Sequence, residues 1–454
     1  MTSNFIEPIY GDSPPTWSMV TLGHLIDNRL AELQTGPFGT TLHASSYRST
    51  GTPVVAVKHI ENNRLNHDDL PRIDDETVQR LSRYRLLEND ILFGRKGAVD
   101  RRALIKAEEV GWLQGSDCIR LRFLDDNIFA RFISYVLGTS AYKDWVLRHA
   151  GGATMPSLNQ EILRLTPLPL PPLPEQRAIA HILGAMDDKI ELNRRMNRTL
   201  EAMAQALFKS WFVDFDPETA KSEGRTPFGM SVETATLFPA EFVDSEMGLI
   251  PKGWRIVAIG DIAHVIDCLH TKKPERQESG GILLQLNNIR DDSLIDLSDI
   301  FYISDADYQN WTSHIEASEG DCVITNVGRV GSVAQIPPGL HSALGRNMTA
   351  IRCKDNFRFP AFLITCLISE AMREEINLKT DTGTILDALN KKNIPLMRFN
   401  LATPPVLIAF EKVMRPLRAQ METNLATSRT LASIRDALLP RLMSGEVRVK
   451  SKNE

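Results

Sequence analysis

A basic stretch from residue 80 to residue 106 carries side chains that could bind a polyanion. Against its eight cations stand only Glu88, Asp90 and Asp100, so it carries +5 (8 − 3) in a chain whose formal net charge is −5. Lysine and arginine bind phosphates, and arginine also reads guanine in the major groove. The stretch predicts a nucleic-acid contact, with an ordinary charged surface as the alternative. The cations are Arg80, Arg83, Arg85, Arg95, Lys96, Arg101, Arg102 and Lys106.

Two glycines bracket one pair of these cations. Gly94 and Gly97 flank Arg95 and Lys96, and a tight turn there would lift both cations off the end of a strand. A loop of this kind can lie against phosphates. The candidate DNA-binding residues of this stretch are Arg95, Lys96, Arg101 and Arg102.

A related loop, TNVGRVG at residues 325–331, carries fewer charges. It keeps one cation, Arg329, and Asn326 has an amide that suits adenine, although asparagine is also common in turns. Arg346 and Asn347 form a further polar pair. We include Asn326, Arg329, Arg346 and Asn347 among the candidate DNA-binding residues.

Several kinds of catalytic chemistry have no motif in this chain. The patterns GxxxxGK[ST], GxGxxG, HExxH and GxSxG are absent, as is the Asn/Asp-Pro-Pro-Tyr motif of amino-methyltransferases. The ten histidines are scattered, and the five cysteines form no CxxC pair. We therefore expect no active site, no bound cofactor and no metal site. Asp187 and Asp188 are expected on a solvated helix face, and Asp90 and Asp321 in turns before strands.

Composition indicates a globular protein of at least two domains. The chain has 454 residues, of which 43% are hydrophobic and 24% charged. The net charge of −5 argues against a surface that is basic throughout. An odd number of cysteines, no apolar run long enough to cross a bilayer and no pattern of a secretory signal predict the reducing cytoplasm.

An internal repeat organises the whole chain. Leu158 aligns with Leu389 at an offset of 231 (389 − 158), and the same offset carries Asp90 to Asp321. It holds from about residue 90 to residue 211, whereas Trp17 and Trp254 are 237 apart. The chain therefore contains two diverged copies of one unit.

Each copy ends in a predicted long helix. Apolar residues recur at 179, 182, 186, 190, 196, 200, 203, 207 and 211, and again 231 positions later with Thr427 as the polar exception. Asn193 and its counterpart Asn424 interrupt the stripes, as register-setting polar residues do in coiled coils. We predict an antiparallel pair with a pseudo-two-fold axis, in which Asn193 faces Asn424 and Leu200 and Leu431 add to the pairing. Two separate helical hairpins are the alternative.

Short β-rich pieces followed by helical patches predict two α+β modules, so the fold class is α+β with two repeated domains and a helical spacer. The expected domains are residues 1–170, a helix at 171–212, a connector at 213–253, a second module at 254–400, a helix at 401–443 and a tail at 444–454.

Residues 170–217, beginning LPPLPEQRAIAHILGAMDDKIELNRRMN, closely resemble the central conserved region of specificity subunits of type I restriction–modification enzymes. The connector and the terminal LLPRLMSGEVRV are also similar to theirs, although Val406, Leu407 and Ile408 replace the Glu-Gln-Arg of the first copy. The resemblance implies a non-catalytic subunit for host defence and DNA modification. Each module would be a target recognition domain that reads one half of a split DNA sequence, and the helices would form a coiled-coil spacer.

The resemblance also implies partners. Two modification subunits would bind S-adenosylmethionine and methylate adenine, and two restriction subunits would use ATP and Mg²⁺. Three other functions stay open: a free-standing two-domain DNA-binding regulator, a scaffold without a DNA role, and an enzyme such as a nuclease. The DNA target, the spacer length and the base-contacting residues depend on loop geometry.

Overall fold

The computed structural model describes residues 9–11, 14–37, 41–152, 155–381, 383 and 387–449. Residues 153–154, 382 and 384–386 of the aligned repeat segments, and both ends of the chain, lie outside the described residues. The chain divides into two compact units, Met1–Lys189 with Thr430–Glu454, and Ile190–Arg429. Each unit contains one α+β module and one part of each of two long helices.

Module 1 belongs to the first unit. Its short helices are α1 (Leu22–Asp27), α2 (Asp75–Arg80), α3 (Ala130–Val136), α4 (Ser140–His149) and α5 (Gln160–Arg164). Its strands are β1 (Ser18–Thr21), β2 (Ala31–Thr35), β3 (Tyr47–Arg48), β4 (Thr52–Val55), β5 (Arg72–Ile73), β6 (Ile91–Gly94), β7 (Arg102–Leu104), β8 (Leu113–Gln114), β9 (Cys118–Phe123) and β10 (Pro167–Leu170).

Two sheets of four strands each build module 1, in the orders β2-β9-β6-β7 and β3-β5-β4-β8. Strand β6 is buried along its whole length because it is central and reads Ile-Leu-Phe-Gly. Strands β1 and β10 pair antiparallel, with Ser18 opposite Leu170, so the two ends of the module lie side by side.

The second unit includes the connector, which contains α7 (Asp216–Ser222), α8 (Val232–Thr236), β11 (Phe242–Ser245) and β12 (Gly248–Pro251). The helices of module 2 are α9 (Ile259–Ile262), α10 (Asp305–Trp311), α11 (Pro360–Leu367) and α12 (Glu370–Leu378). Its strands are β13 (Arg255–Ala258), β14 (Ala263–Asp267), β15 (Gly281–Leu284), β16 (Tyr302–Ile303), β17 (Cys322–Thr325), β18 (Val333–Gln335), β19 (Ala343–Leu344), β20 (Met348–Cys353), β21 (Thr380–Asp381), β22 (Ala388–Leu389) and β23 (Arg398–Leu401).

Module 2 repeats the topology of module 1. Its main sheet has the order β14-β20-β17-β18, and β16-β15-β19 reproduces the second sheet, in which an isolated bridge from Gln277 to Tyr302 takes the place of β3. Strands β6, β7 and β10 recur as β17, β18 and β23 at the offset of 231. The predicted turn aspartates also recur, since Asp90 accepts the amide of Leu87 and Asp321 that of Ser318. Each then forms an ion pair with an arginine on the neighbouring strand.

The long helices are α6 (Leu173–Phe212) and α13 (Pro404–Met443), each of 40 residues and separated by the same offset (404 − 173 = 231). They pair antiparallel. In the second unit, Asn197 bonds to Met421 and Phe208 packs against Phe410, so rising numbers on α6 meet falling numbers on α13. In the first unit, Ile179 and Leu183 share a core with Leu438 and Leu442.

The predicted apolar stripes are wrong at three positions. Met203, Val413 and Ile434 are exposed, by 53%, 43% and 42%. Asn193, Asn197, Ala204 and Phe208 are buried on α6 instead. The buried face is the neighbouring one, because polar side chains can occupy a seam between helices when they hydrogen-bond across it.

The predicted fold class, two repeated α+β modules with two long antiparallel helices, is confirmed. Among the described residues no helix has the length and hydropathy needed to cross a membrane.

Candidate nucleic-acid interface

Four segments of module 1 meet where strand β6 ends. We call residues 56–58, 94–97, 115–117 and 156–158 the loop cluster of module 1. The amide of Arg95 donates to the carbonyl of Asp117 at 2.8 Å, and the amide of Leu158 donates to the carbonyl of Arg95 at 2.8 Å. Gly115 donates to Val55 at 2.9 Å. Gly97 has a φ of 75°, so the glycine permits a turn that most residues resist.

Module 2 builds the same cluster from residues 285–287, 325–328, 345–347 and 388–389. The amide of Asn326 donates to Asn347 at 2.7 Å, and Leu389 donates to Asn326 at 2.9 Å. Gly345 donates to Leu284 at 2.8 Å. These main-chain bonds repeat those of module 1 at offsets of 229 to 231. The two loop clusters therefore share one main-chain framework while their side chains differ.

Cations dominate the loop cluster of module 1. Lys96 and Lys58 are exposed and Arg95 is half-buried. Main-chain hydrogen bonds fix Arg95 and Lys96, and Lys58 lies in the 3-10 turn Val57–His59. The Asp117 carboxylate lies 3.9 Å from the Lys96 ammonium. Arg101 is exposed a few residues further on. This surface can accept phosphate oxygens without burying a charge.

The prediction that Arg102 binds DNA is wrong. Its side chain is 4% exposed, and its Nε donates to the main-chain carbonyl of Ser134. Burial lowers the pKa of the Arg102 guanidinium to about 10. Gly138 packs so closely that a Cβ at that position would lie 2.1 Å from the guanidinium. Arg102 therefore joins β7 to α3 inside the module.

Module 2 uses two of its predicted residues for folding. Asn326 donates to the Leu389 carbonyl at 3.0 Å and accepts from the Thr349 hydroxyl at 2.9 Å, so both the nitrogen and the oxygen of its amide are engaged within the fold. Arg329 donates to the Ile289 carbonyl at 2.7 Å and forms an ion pair with Asp291. The turn role weighed for Asn326 is the one that the structure supports.

A concavity beside this cluster holds the other two predicted residues. Arg346 is exposed and donates to the Thr271 carbonyl at 2.7 Å, and Asn347 has a left-handed φ of 64°. Both line a cavity of about 420 Å³. The remaining lining residues are Lys273, Leu283, Gln285, Leu286, Asn287, Trp311 and Gly345. Amides, cations and one indole thus face a common space.

The loop cluster of module 1 and the cavity of module 2 also include Lys58, Lys273, Gln285 and Asn287, which were not among the residues predicted from the sequence. A signal existed for two of them, because Lys58 and Asn287 follow the aligned strands β4 and β15 within matching 3-10 turns, Val57–His59 and Leu286–Asn288. The segments PVVAVKHI (53–60) and ILLQLNNI (282–289) belong to the β-rich pieces of the two modules, so their composition predicts strand where the structure has these turns.

The structure brings Asn193 and Asn424 together. The Asn193 side chain donates to the Asn424 carbonyl at 3.2 Å, and Asn424 donates to Asn197 at 2.8 Å. Leu200 and Leu431 are each half-buried and belong to different compact units. Asp187, expected on a solvated face, accepts hydrogen bonds from Tyr135 at 2.6 Å and Arg435 at 2.6 Å and so joins α6 to α13.

Comparison with known proteins finds a matching family model and several similar proteins. Residues 17–202 match the family model described as the type I restriction modification DNA specificity domain. The type I restriction enzyme HindI specificity subunit of Haemophilus influenzae is 27% identical over 351 residues, which cover 68% of this chain and 75% of that protein. The MjaIX specificity subunit of Methanocaldococcus jannaschii is 27% identical over 331 residues, 72% of this chain and 71% of its own.

A solved structure has the same fold. The type I restriction-modification system S subunit from M. genitalium covers 94% of this chain and 96% of its own, with a TM-score of 0.53 at 15% identity. Repeated modules, paired long helices and the matches to specificity subunits agree with one another. Residues 17–202 thus match the type I restriction modification DNA specificity domain, and the chain is similar over about two thirds of its length to specificity subunits of type I restriction enzymes.

Proposed function

We propose that this chain is the DNA-recognition subunit of a type I restriction-modification complex and that each module reads one half of a bipartite target. The observation that carries the proposal is the pair of loop clusters, which share their main-chain hydrogen bonds and differ in their side chains. A duplicated reader of two different half-sites needs this combination, because the fold must be kept while the base contacts change.

The two clusters favour different contacts. Lys58, Arg95 and Lys96 in module 1 suit phosphates, and Arg95 suits guanine. The cavity of module 2 presents the amides of Gln285 and Asn287 beside Arg346. Asparagine and glutamine pair with adenine in the major groove, and arginine pairs with guanine. We therefore expect the two half-sites to differ in sequence.

We further propose that α6 and α13 set the distance between the half-sites and bind two modification subunits. Exposed apolar side chains on these helices support docking: Leu192 and Met203 on α6, and Ile408, Val413 and Ile434 on α13. In this proposal the chain is non-catalytic and binds none of the cofactors of methylation or cleavage. S-adenosylmethionine, ATP and Mg²⁺ belong to the modification subunits and to two restriction subunits.

Methylome sequencing tests the proposal. Cells that express the chain with its modification subunit should carry adenine methylation in one split motif. Asn287→Ala should relax one half of that motif, and Lys58→Ala with Lys96→Ala should weaken methylation without changing the motif. A continuous motif, or a change in both halves from Asn287→Ala, would contradict the assignment of one module to each half. Tight sequence-specific DNA binding by the purified chain alone would favour the free-standing regulator.

A further inference from the structure

Three side chains of different chemistry converge at the end of strand β14. Asp267 closes the strand, and Cys268 and His270 follow in the sequence Asp-Cys-Leu-His. The His270 Nε2 lies 3.1 Å from the Asp267 Oδ2 and 4.0 Å from the Cys268 Sγ. One ligand atom from each residue lies within 4.8 Å of the other two. Among the described residues this is the one group of three such side chains.

These separations suit a tetrahedral metal ion. Zinc binds thiolate sulfur at about 2.3 Å and imidazole nitrogen or carboxylate oxygen at about 2.0–2.2 Å. Tetrahedral angles then separate the ligand atoms by roughly 3.3–3.6 Å. The observed 3.1 Å and 4.0 Å lie close to that range, and the third pair of ligand atoms lies within 4.8 Å.

Burial gives the cluster a fixed side and an open side. Cys268 is 2% exposed and packs in the core of module 2, whereas His270 is exposed and Asp267 is partly buried. The Lys391 ammonium lies 2.6 Å from the Asp267 Oδ2 on the open side. The Lys391 side chain is 52% exposed, so it can move into solvent when a cation arrives. A metal ion could thus reach the cluster from solvent, and it would compete with the Lys391 ammonium for the Asp267 carboxylate.

Although the sequence motifs predict no metal site, we propose that Asp267, Cys268 and His270 form a site for Zn²⁺ or a similar divalent transition metal. A bound ion would hold His270 close to Asp267 and Cys268 at the end of β14. That segment leads directly to Lys273, which lines the cavity beside the loop cluster. The metal would therefore order one wall of the cavity, a role that rests on the proposed function, whereas metal binding itself does not.

The site would distinguish the two modules. Strand β14 aligns with β2 at an offset of 232 (263 − 31), so Asp267 and Cys268 correspond to Thr35 and Gly36. Neither residue offers a thiolate or carboxylate ligand. Module 2 has therefore acquired the ligands since the duplication, or module 1 has lost them, while both kept the strand.

Equilibrium dialysis of the purified full chain against Zn²⁺, followed by metal analysis, tests the site. We expect one zinc per chain, and Co²⁺ in its place should give a thiolate-to-cobalt charge-transfer absorption in the near ultraviolet. His270→Ala and Cys268→Ser should each weaken binding at least about tenfold. Lys391→Ala should tighten it about fivefold, because a competing positive charge is removed.

Two control variants separate the site from general effects. His341→Asn changes an exposed histidine outside the cluster, and Cys353→Ser changes a half-buried cysteine outside it, so both should bind zinc like the unaltered chain. His270 is exposed, so His270→Ala should keep the thermal midpoint of the metal-free chain and report on binding alone. Absence of zinc binding in the unaltered chain, or unchanged binding in His270→Ala, would overturn the proposal without bearing on DNA recognition.

Discussion

The side-chain amide of Asn193 donates to the main-chain carbonyl of Asn424 across the helix pair, at 3.2 Å. Asn424 in turn donates to Asn197, and Asn197 donates to the Met421 carbonyl at 3.0 Å. All three asparagines are buried. A chain of amides in a seam permits few alternative registers, because a shift along the helix would leave several of them unpaired.

Replacing Asn424 with alanine should destabilise the second unit. The Asn197 oxygen would lose its donor while staying buried, which costs about 1–3 kcal/mol in the free energy of unfolding. Urea denaturation followed by circular dichroism would measure the loss. Thr423→Ala, an exposed position next to it, should change the free energy of unfolding by no more than about 0.5 kcal/mol. Equal effects of the two variants would show that the amide chain contributes nothing.

Among the cations of module 1, Arg95 and Lys96 should contribute to DNA binding, whereas Arg102 should contribute only to folding. Log affinity falls as log salt concentration rises. Arg95→Ala and Lys96→Ala should each make that negative slope shallower by about 1, because each removes one phosphate contact. Arg102→Met should leave that slope unchanged and lower the thermal midpoint, because Arg102 bonds to Ser134 in the interior. Titrations of the complex with its modification subunit at several salt concentrations would measure the slopes. A reduced slope for Arg102→Met would contradict this division.

Much of this architecture was predictable from the sequence, because the repeat and the helical periodicity extend over many residues. The offset of 231 located both long helices within a few residues. The sequence predicted less well which face of each helix is buried, since Met203 and Ala204 fit the periodicity about equally well and only packing decides that Ala204 is the buried one. Pro416 and Pro440 lie inside α13 although proline disfavours helix interiors, so tertiary packing outweighs local propensity there.

The candidate interface was predictable only in outline. A cationic loop can be read from Arg95 and Lys96, but its neighbours come from segments more than 20 residues away. Arg102 and Asn326 have residue types that suit DNA, yet their partners, Ser134 and Leu389, are distant in sequence. Only the folded chain shows that these groups are already hydrogen-bonded.

Lengthening both long helices by one heptad should widen the gap between the half-sites. Seven residues inserted after Thr199 and seven after Arg418, which lie at about the same level of the antiparallel pair because Asn197 bonds to Met421, add about 10 Å to each helix and keep the seam nearly in phase. That length corresponds to roughly three base pairs at about 3.4 Å each. Methylome sequencing would report the new spacing. An insertion in α6 alone serves as the control and should destabilise the pair, and an unchanged gap in the double insertion would disprove the spacer role.

Glu218 should make stability depend on pH. It is fully buried in α7 and its carboxylate has no hydrogen-bond partner on another described residue. Burial raises the Glu218 pKa to about 7, whereas the unfolded chain keeps a value near 4.5. The stabilising protonated form is fully present below about pH 4.5, and its contribution is lost as the pH rises through about 7.

Glu218→Gln should therefore raise stability at pH 8 by up to about 3 kcal/mol and change it little at pH 4.5. Thermal midpoints across this range would show the difference. Glu223→Gln alters an exposed carboxylate of the same connector and should give no such trend. A gain for Glu218→Gln that is the same at every pH would rule out titration as its cause.

The main-chain origin of the bonds that hold the loop clusters has an evolutionary consequence. Side chains such as Lys58, Asn287 and Lys96 can mutate without removing any of those bonds. New specificities can therefore arise by point mutation while the protein stays folded, and each half can diversify independently of the other. Because a target combines both halves, a modest repertoire of variants in each would multiply into a far larger set of genomic addresses.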